Sequence, residues 1–391
     1  MSNSLMSTYL PLPVTFVRGD GASLWDDGDE CYLDALSGIA VTNLGHSHPE
    51  VTGAICHQAR NLIHTSNLYQ IANQQQLGED LVRFAGMERV FFSNSGAEAN
   101  EAALKLARLY GHQKGIEQPA IVVMEKSFHG RTLATLSATG NRKVHAGFEP
   151  LVCGFIRVPY NDTAAIRTLA ENNSNIAAVL VEPIQGEGGV QIPNEEYLPI
   201  LREVCDQQGW LLMLDEIQTG MGRTGKPFAY QHSAIVPDVM TLAKGLGNGV
   251  PIGACLARGD AANLFQPGHH GSTFGGNPLA TAAAAAVVST MSGDGFMERV
   301  TTLGEQMLAT FRERLSGNPL VKDIRGKGLI LGIELNQSCS HLVAEALQRK
   351  LLINVTADSV IRLLPPLIIS DAEAERIVTT VCDLIEELPA P

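Results

Sequence analysis

Between about residue 90 and residue 290 the chain alternates short apolar bursts with stretches of helical period. The bursts are "RVFFSNSG", "AIVVMEKS", "AAVLVEPIQ", "WLLMLDEIQ" and "DVMTLAKG". Apolar residues run through them with almost no polar alternation, the pattern of strands covered on both faces by helices. This predicts an α/β domain built on a large, mostly parallel sheet. After "VFFSN", the stretch "SGAEANEAALKLARLYG" puts Ala99, Ala102, Ala103, Leu106, Ala107 and Tyr110 on one helical face. Ser95 and Glu98 have capping-box spacing, and Gly111 is the expected stop.

Beyond about residue 295 the pattern changes. A long helical segment, "MERVTTLGEQMLATFRERL", leads to "IRGKGLILGIEL", a short helix near 340–350, the apolar run "INVTADSVIRLLPPLII", and a last helix from about Ser370. These predict a smaller α+β domain over 291–391, with a large α/β domain over 61–290. Residues 1–60 include "SLWDDGDECYLDALSG", a hairpin around Asp27-Gly28, and are assigned to the smaller domain. At 391 residues and 45% hydrophobic, the chain exceeds what one core usually supports, in keeping with two domains.

Charge narrows the partners. With 41 Asp+Glu against 28 Lys+Arg, the formal net charge of -13 repels phosphate backbones and anionic membrane surfaces, so neither nucleic acid nor membrane is expected. The 7 cysteines are scattered and never in Cys-x-x-Cys spacing. That argues against a disulfide framework and a zinc site, and suits a reducing cytoplasm. The N-terminal "MSNSLMSTYLPLP" has no basic-then-apolar targeting pattern, and "PLATAAAAAVV" is too short to span a bilayer. "GHSHP" brings no carboxylate or cysteine cluster, so His46, His48 and also His129 read as structural and no metal is expected.

In an open parallel sheet, ligands bind at the carboxyl ends of the strands. Those ends carry Ser95 and Gly96; Phe128, His129 and Arg131; Glu182 and Glu187; Asp215 and Gln218; and Lys244. One edge would then hold a phosphate cradle, an aromatic plate, carboxylates, a guanidinium and an amine, the inventory wanted by pyridoxal phosphate (PLP). A lysine amine binds the cofactor aldehyde covalently, and Lys244 is the candidate. A carboxylate facing the pyridine nitrogen keeps it protonated, which suits Asp215. Phe128 can stack on the ring, and the helix start at Ser95, Gly96 and Ala97 can bind phosphate.

Taken singly, each has an ordinary reading: Lys244 as a solvated loop lysine, Asp215 and Glu216 as turn or cap residues, Phe128 as core, Ser95 as an N-cap, Arg131 as a surface ion pair. Their joint occurrence at successive strand ends favours a site. "GMGRTG", Gly220 to Gly225, matches G-x-G-x-x-G literally, but Pro227 follows it and no helical period does, so a dinucleotide site is set aside.

The segments "NSGAEANEAALKLAR", "SFHGRT", "VEPIQGEGGV", "LLMLDEIQTGMGRTG", "TLAKGLGNGVPIGA", "GSTFGGNPLA" and "IRLLPPL" resemble the class III aminotransferases of PLP fold type I, over nearly the whole chain. The resemblance implies that Lys244 carries the cofactor, that Asp215 pairs with the pyridine nitrogen, and that Gln218 contacts the ring hydroxyl, with Glu216 and Ile217 beside it. It implies that Phe128 stacks on the ring. Gly96 and Ala97 would hold the phosphate from one subunit and Thr273 from the other, which requires a homodimer. Arg131 would bind a substrate carboxylate with Ser272 nearby, and Glu187 and Arg362 would form the pair that adapts the pocket. Ala97 stands where relatives often carry threonine, which leaves only the backbone N–H as a contact.

"LSGIAVTNLGHSHPEV" and "HTSNLY" are most similar to members of the class that act on N-acetylornithine, with 2-oxoglutarate and glutamate as the second pair, in arginine biosynthesis. Members acting on succinylornithine, ornithine or 4-aminobutyrate share most of the frame. A non-catalytic PLP-binding regulator would need a helix-turn-helix and a basic face, and neither is found.

Overall fold

The structure is a computed structural model that describes residues 4–389. The N-terminal strands are β1 (Phe16–Asp20), β2 (Ser23–Asp26) and β3 (Cys31–Asp34). The expected hairpin joins β2 to β3. Its turn is closed by Asp26, whose Oδ1 accepts from the Gly28 and Glu30 N–H groups at 3.0 and 2.9 Å.

The large sheet holds β4 (Arg89–Ser93), β5 (Ala120–Met124), β6 (Phe155–Val158), β7 (Ile176–Val181), β8 (Leu211–Asp215), β9 (Val239–Leu242) and β10 (Gly253–Ala257). Their order is β4-β10-β9-β8-β7-β5-β6, and only β10 runs against its neighbours. Five of these seven strands, β4, β5, β7, β8 and β9, coincide with the apolar bursts of the sequence. The other two lack that signature: β6 is a four-residue edge strand carrying Arg157, and β10, "GACLA", has side chains too small to mark a strand core.

Successive residues of these strands feed two different cores, as the two-residue period of a strand dictates. Val122, Val179, Leu212 and Met240 face one core with Leu77, Leu201 and Val287 from the helices Ala72–Ala85, Tyr197–Gln208 and Pro278–Met291. Val123, Ala178, Met213 and Val239 face the other, covered by Ala103, Leu106 and Tyr110 of the helix Gly96–Gln113. Every residue of β5, β7, β8 and β9 is therefore buried, which is why the bursts lack polar alternation. Gly111 does not end its helix, which continues to Gln113; a Cβ at Gly111 would meet Pro119 and Ala177, so the glycine permits close packing.

The smaller unit holds β11 (Val321–Lys327), β12 (Ile330–Leu335), β13 (Leu351–Leu352), β14 (Asn354–Thr356) and β15 (Val360–Leu363). β13 pairs in parallel with β3, Leu33 opposite Leu351, which joins the N-terminal hairpin to this unit. The other four strands form an antiparallel sheet in the order β11-β12-β15-β14. Helices Phe296–Arg314 and Asp371–Glu386 supply Leu303, Phe311, Ile377 and Val381 to its core. Ser370 caps the last helix in a capping box with Glu373.

Residues 4–60 divide between the two cores. Ala22, Leu33 and Ala35 belong to the smaller, while Leu44 and Val51 belong to the larger, where the helix Pro49–Asn61 lies against Pro278–Met291. We therefore propose that the N-terminal break falls between Leu36 and Leu44, ahead of the expected residue 60. No helix among the described residues is long and apolar enough to cross a membrane.

Candidate active site

The carboxyl ends of β4, β5, β7, β8 and β9 open on one cavity of about 440 Å³. At the end of β4, Ser95 caps the following helix, its Oγ accepting from the Glu98 N–H at 3.2 Å. The first N–H groups of a helix have no partner within it, and Gly96 and Ala97, which carry them here, line the cavity. A Cβ on Gly96 would lie 2.7 Å from Ile217, so only glycine lets the β8 loop close against this helix start.

Asp215, the last residue of β8, is buried and lines the cavity. Its Oδ2 accepts from Asn100 Nδ2 at 2.8 Å and faces His129 Nδ1 at 2.7 Å, and its Oδ1 accepts from the Ile217 N–H at 3.1 Å. A carboxylate offers about four lone-pair sites, so one remains for a donor in the cavity. Asn100 is itself fixed, donating to His129 O and accepting from Thr241 Oγ1, both at 2.8 Å. His129 Nε2 is buried with no partner.

Glu182, at the end of β7, ties two loops together: Oε2 accepts from the Phe128 N–H at 3.1 Å and Oε1 from the Gly186 N–H at 3.3 Å. Burial pushes its carboxyl up to about 7, with His129 opposing the rise and Asp215 adding to it. Arg131 stacks over Phe128, its guanidinium carbon 5.3 Å from the ring centroid.

Lys244 follows β9 in a left-handed conformation, φ 46°, at the head of a short 3-10 turn. The next residue must be small, because a Cβ on Gly245 would meet the Asn43 amide carbon at 2.8 Å. Burial lowers the Lys244 amine from its ordinary value; Glu187 opposes this, Arg362 adds to it, and Asp215 and Glu182 oppose it. A lysine biased toward the neutral amine is what a nucleophile needs.

Arg362 lies behind Glu187, which covers it with an ion pair of 2.6 Å from Nη1 to Oε1. Burial raises the Glu187 carboxyl, but the charge and hydrogen bond of Arg362, with Lys244 and Arg131, leave it below its ordinary value. Amine, buried carboxylate with a spare acceptor site, aromatic plate and free helix N–H groups together match the donor set that PLP requires.

Residues 5–385 match the family model for class-III aminotransferases.

The chain is a class-III aminotransferase.

PLP is its cofactor. The aminotransferase is 58% identical to an acetylornithine aminotransferase of Nitrosomonas europaea over 97% of either chain. Its fold superposes on the ornithine aminotransferase of Toxoplasma gondii with a TM-score of 0.95 at 34% identity, covering 98% of this chain and 92% of that one. It also superposes on the acetylornithine aminotransferase of Elizabethkingia anophelis with a TM-score of 0.87 at 36% identity, covering 98% and 96%. The expected fold type I, with its large mostly parallel sheet, is the fold observed.

Within the aminotransferase, Ser95, Gly96, Ala97, Phe128, Arg131, Glu187, Asp215, Ile217, Gln218 and Lys244 all line the cavity. Four expected residues do not, and one of them is Arg362, which lies behind Glu187. Glu216 turns away and braces the loop behind β8, accepting from Thr219 Oγ1 at 2.6 Å and from the Ala229 and Tyr230 N–H groups at 3.0 and 2.9 Å. Ser272 lies outside the cavity and accepts from Asn94 Nδ2 at 3.1 Å, and Thr273 is exposed on the same loop. His129, read from sequence as structural, lines the cavity and contacts Asp215. Its place directly after Phe128 at a strand end was the available signal. Asn100 was also missed; a polar residue among the alanines of a buried helical face marks it.

Burial lifts the Glu216 carboxyl from its ordinary 4.5 to about 7. The folded chain therefore keeps this proton at pH values where the unfolded chain has released it, so the group's contribution to stability falls as pH rises from about 4.5 to about 7. Glu216→Gln removes that titration. Its urea-unfolding free energy relative to wild type is expected to improve across this window by on the order of 3 kcal/mol. A constant difference at every pH rejects the assignment.

Proposed function

We propose that the aminotransferase moves the terminal amino group of N2-acetyl-L-ornithine to 2-oxoglutarate, giving N-acetyl-L-glutamate 5-semialdehyde and L-glutamate, in arginine biosynthesis. The observation that carries the choice of substrate is one of charge. All three carboxylates lining the cavity are engaged: Asp215 by Asn100, His129 and Ile217, Glu182 by two backbone N–H groups, and Glu187 by Arg362. The free α-ammonium of ornithine finds no unengaged carboxylate among them, whereas an acylated amine needs none. The near full-length likeness to acetylornithine aminotransferases supports the same reading.

Bound PLP supplies the electron sink for breaking a bond at the amino-bearing carbon. The protein's part is to hold and orient. The Gly96 and Ala97 N–H groups would take the phosphate, Phe128 the ring face, Gln218 the ring hydroxyl, and Asp215 the ring nitrogen through its remaining lone pair. Lys244 Nζ would hold the cofactor and is the amine that would accept a proton from the substrate carbon. Arg131 takes the carboxylate remote from the reacting amine. Glutamate carries a second carboxylate beside its amine and needs Arg362 uncovered. N-acetylornithine has none there, and Glu187 then keeps the buried guanidinium paired.

A homodimer belongs to this proposal. Leu62, Ile63, Leu68, Tyr69 and Phe274 are large apolar residues left exposed on one chain. Asn67 donates to Ser272 O and Gly275 O at 3.1 and 3.0 Å, so the two exposed segments adjoin. Such a surface suits a second copy, which would bring Thr273 to the neighbouring cavity. A cytoplasmic setting is in keeping with seven free cysteines.

Single-turnover absorbance tests the substrate. N-acetylornithine is expected to bleach the visible band of the bound cofactor faster than succinylornithine, ornithine or 4-aminobutyrate, and 2-oxoglutarate to restore it. Faster bleaching by another of these amines overturns the assignment and names its replacement.

A further inference from the structure

Arg362 is 1% exposed, and its guanidinium is divided between two neighbours. Nε and Nη2 both donate to Asn354 Oδ1, at 3.1 and 2.7 Å. Nη1 donates to Glu187 Oε1 at 2.6 Å, with Gln218 Oε1 at 3.5 Å.

The backbone sets this arrangement. β14 and β15 form a hairpin through Ala357 and Asp358, both left-handed, and its register places Asn354 directly opposite Arg362. Directly opposed residues project to the same face within reach of each other, so the amide meets the guanidinium without any long-range adjustment. Two residues along β14, on that same face, Thr356 Oγ1 donates to Glu187 O at 2.6 Å. One hairpin thus holds the arginine by its side chain and the glutamate by its backbone.

We propose that Asn354 is a specificity-determining positioning residue: its uncharged amide oxygen fixes the Arg362 guanidinium, so that Glu187 and the α-carboxylate of glutamate compete for the Nη1 side alone. The inference rests on the reading of Arg362 as the site for that carboxylate. The neutrality of Asn354 is essential to it. An aspartate there would orient the guanidinium equally well but neutralise it, and two carboxylates would already hold the cation before substrate arrived. Thr356 keeps the Glu187 backbone in place, so uncovering Arg362 is a rotation of the Glu187 side chain, which is 37% exposed where its partner is 1%. The hairpin itself stays still.

The test compares Asn354→Ala, Asn354→Asp, Thr356→Val, Glu187→Ala and Arg362→Leu in the PLP-loaded enzyme. Each half-reaction is followed by single turnover, and glutarate binding is read from its effect on the cofactor spectrum. Hydrogen bonds to charged groups contribute enough that Asn354→Ala is expected to weaken glutarate and raise half-saturation for glutamate by about tenfold or more. Half-saturation for N-acetylornithine is expected to move by at least about fivefold less than that for glutamate, since Arg362 is covered in that half-reaction. Asn354→Asp is expected to weaken glutarate as well, although it restores the hydrogen bonds. Thr356→Val and Glu187→Ala are expected to shift the balance the other way, against N-acetylornithine. Equal losses in both half-reactions for Asn354→Ala, or unchanged glutarate binding, reject the positioning role. If Arg362→Leu abolishes glutamate turnover while Asn354→Ala spares it, the inference falls and the site reading stands. If Arg362→Leu also spares it, both fall.

Discussion

Lys244→Ala is expected to reduce turnover by about 10⁴-fold or more, because the role proposed for this lysine combines two functions. The first is a covalent hold on the cofactor, which would keep the reacting carbon in register with the Gly96 and Ala97 N–H groups proposed for the phosphate. The second is the base that takes the substrate proton. Loss of a general acid–base group alone costs about 10² to 10⁴ in rate, and the lost anchoring adds to it. The surroundings of the lysine explain why no neighbour replaces it. Arg362 is covered by Glu187, and Glu182 and Asp215 are committed to their own hydrogen bonds. Two readings check the result: single-turnover rates, and the protein mass after borohydride reduction. Wild type should retain the cofactor mass covalently and the variant should not. Steady turnover at the wild-type rate would rule out Lys244.

Arg223→Met is expected to have the largest effect on stability. The Arg223 guanidinium is wholly buried between the two units of the fold. Nη1 donates to Leu329 O at 2.9 Å and to Pro365 O at 2.5 Å, and Nη2 to Ser37 Oγ at 3.3 Å and Asn43 Oδ1 at 2.6 Å. Burial pulls this guanidinium down to about 9, with Asp34 opposing. Methionine keeps most of the stem packing but leaves several acceptors inside the protein without donors. At about 1 to 3 kcal/mol for each buried group left unsatisfied, a loss of roughly 3 to 5 kcal/mol is expected from urea unfolding. A loss under about 1 kcal/mol would mean that water or rearranged neighbours satisfy those acceptors. The variant should also bind PLP more weakly, since Asn43 packs against Gly245 beside Lys244.

Arg223 also marks how far the sequence could be read. It sits inside the G-x-G-x-x-G match that was set aside, and the glycines there serve packing. A Cβ on Gly222 would meet Met291 at 2.9 Å, and one on Gly220 would meet Glu216 O at 2.7 Å. The strand-end residues were legible because each follows an apolar burst directly, and the parallel sheet gathers strand ends at one edge. Glu216 was misplaced because adjacent residues at a strand end point opposite ways, and sequence alone does not say which faces the cavity. Asn354 and Thr356 were not legible, since their roles depend on the register of a hairpin and on contacts with Arg362 and Glu187, far away in sequence. Gly111 looked like a stop because a helix-ending glycine and a close-packed one are the same letter. Only the neighbours, Pro119 and Ala177, tell them apart.

The pairing of β3 with β13 has a consequence for how the chain is made. Leu33 leaves the ribosome long before its partner Leu351. Until then one edge of the N-terminal hairpin has no strand beside it, while the large sheet can already be assembling. Closing so long a loop is slow, and an open strand edge in the interim invites pairing with other chains. The β3 edge of the hairpin therefore stays open to such pairing until β13 arrives, although in the folded protein it is simply one part of a sheet.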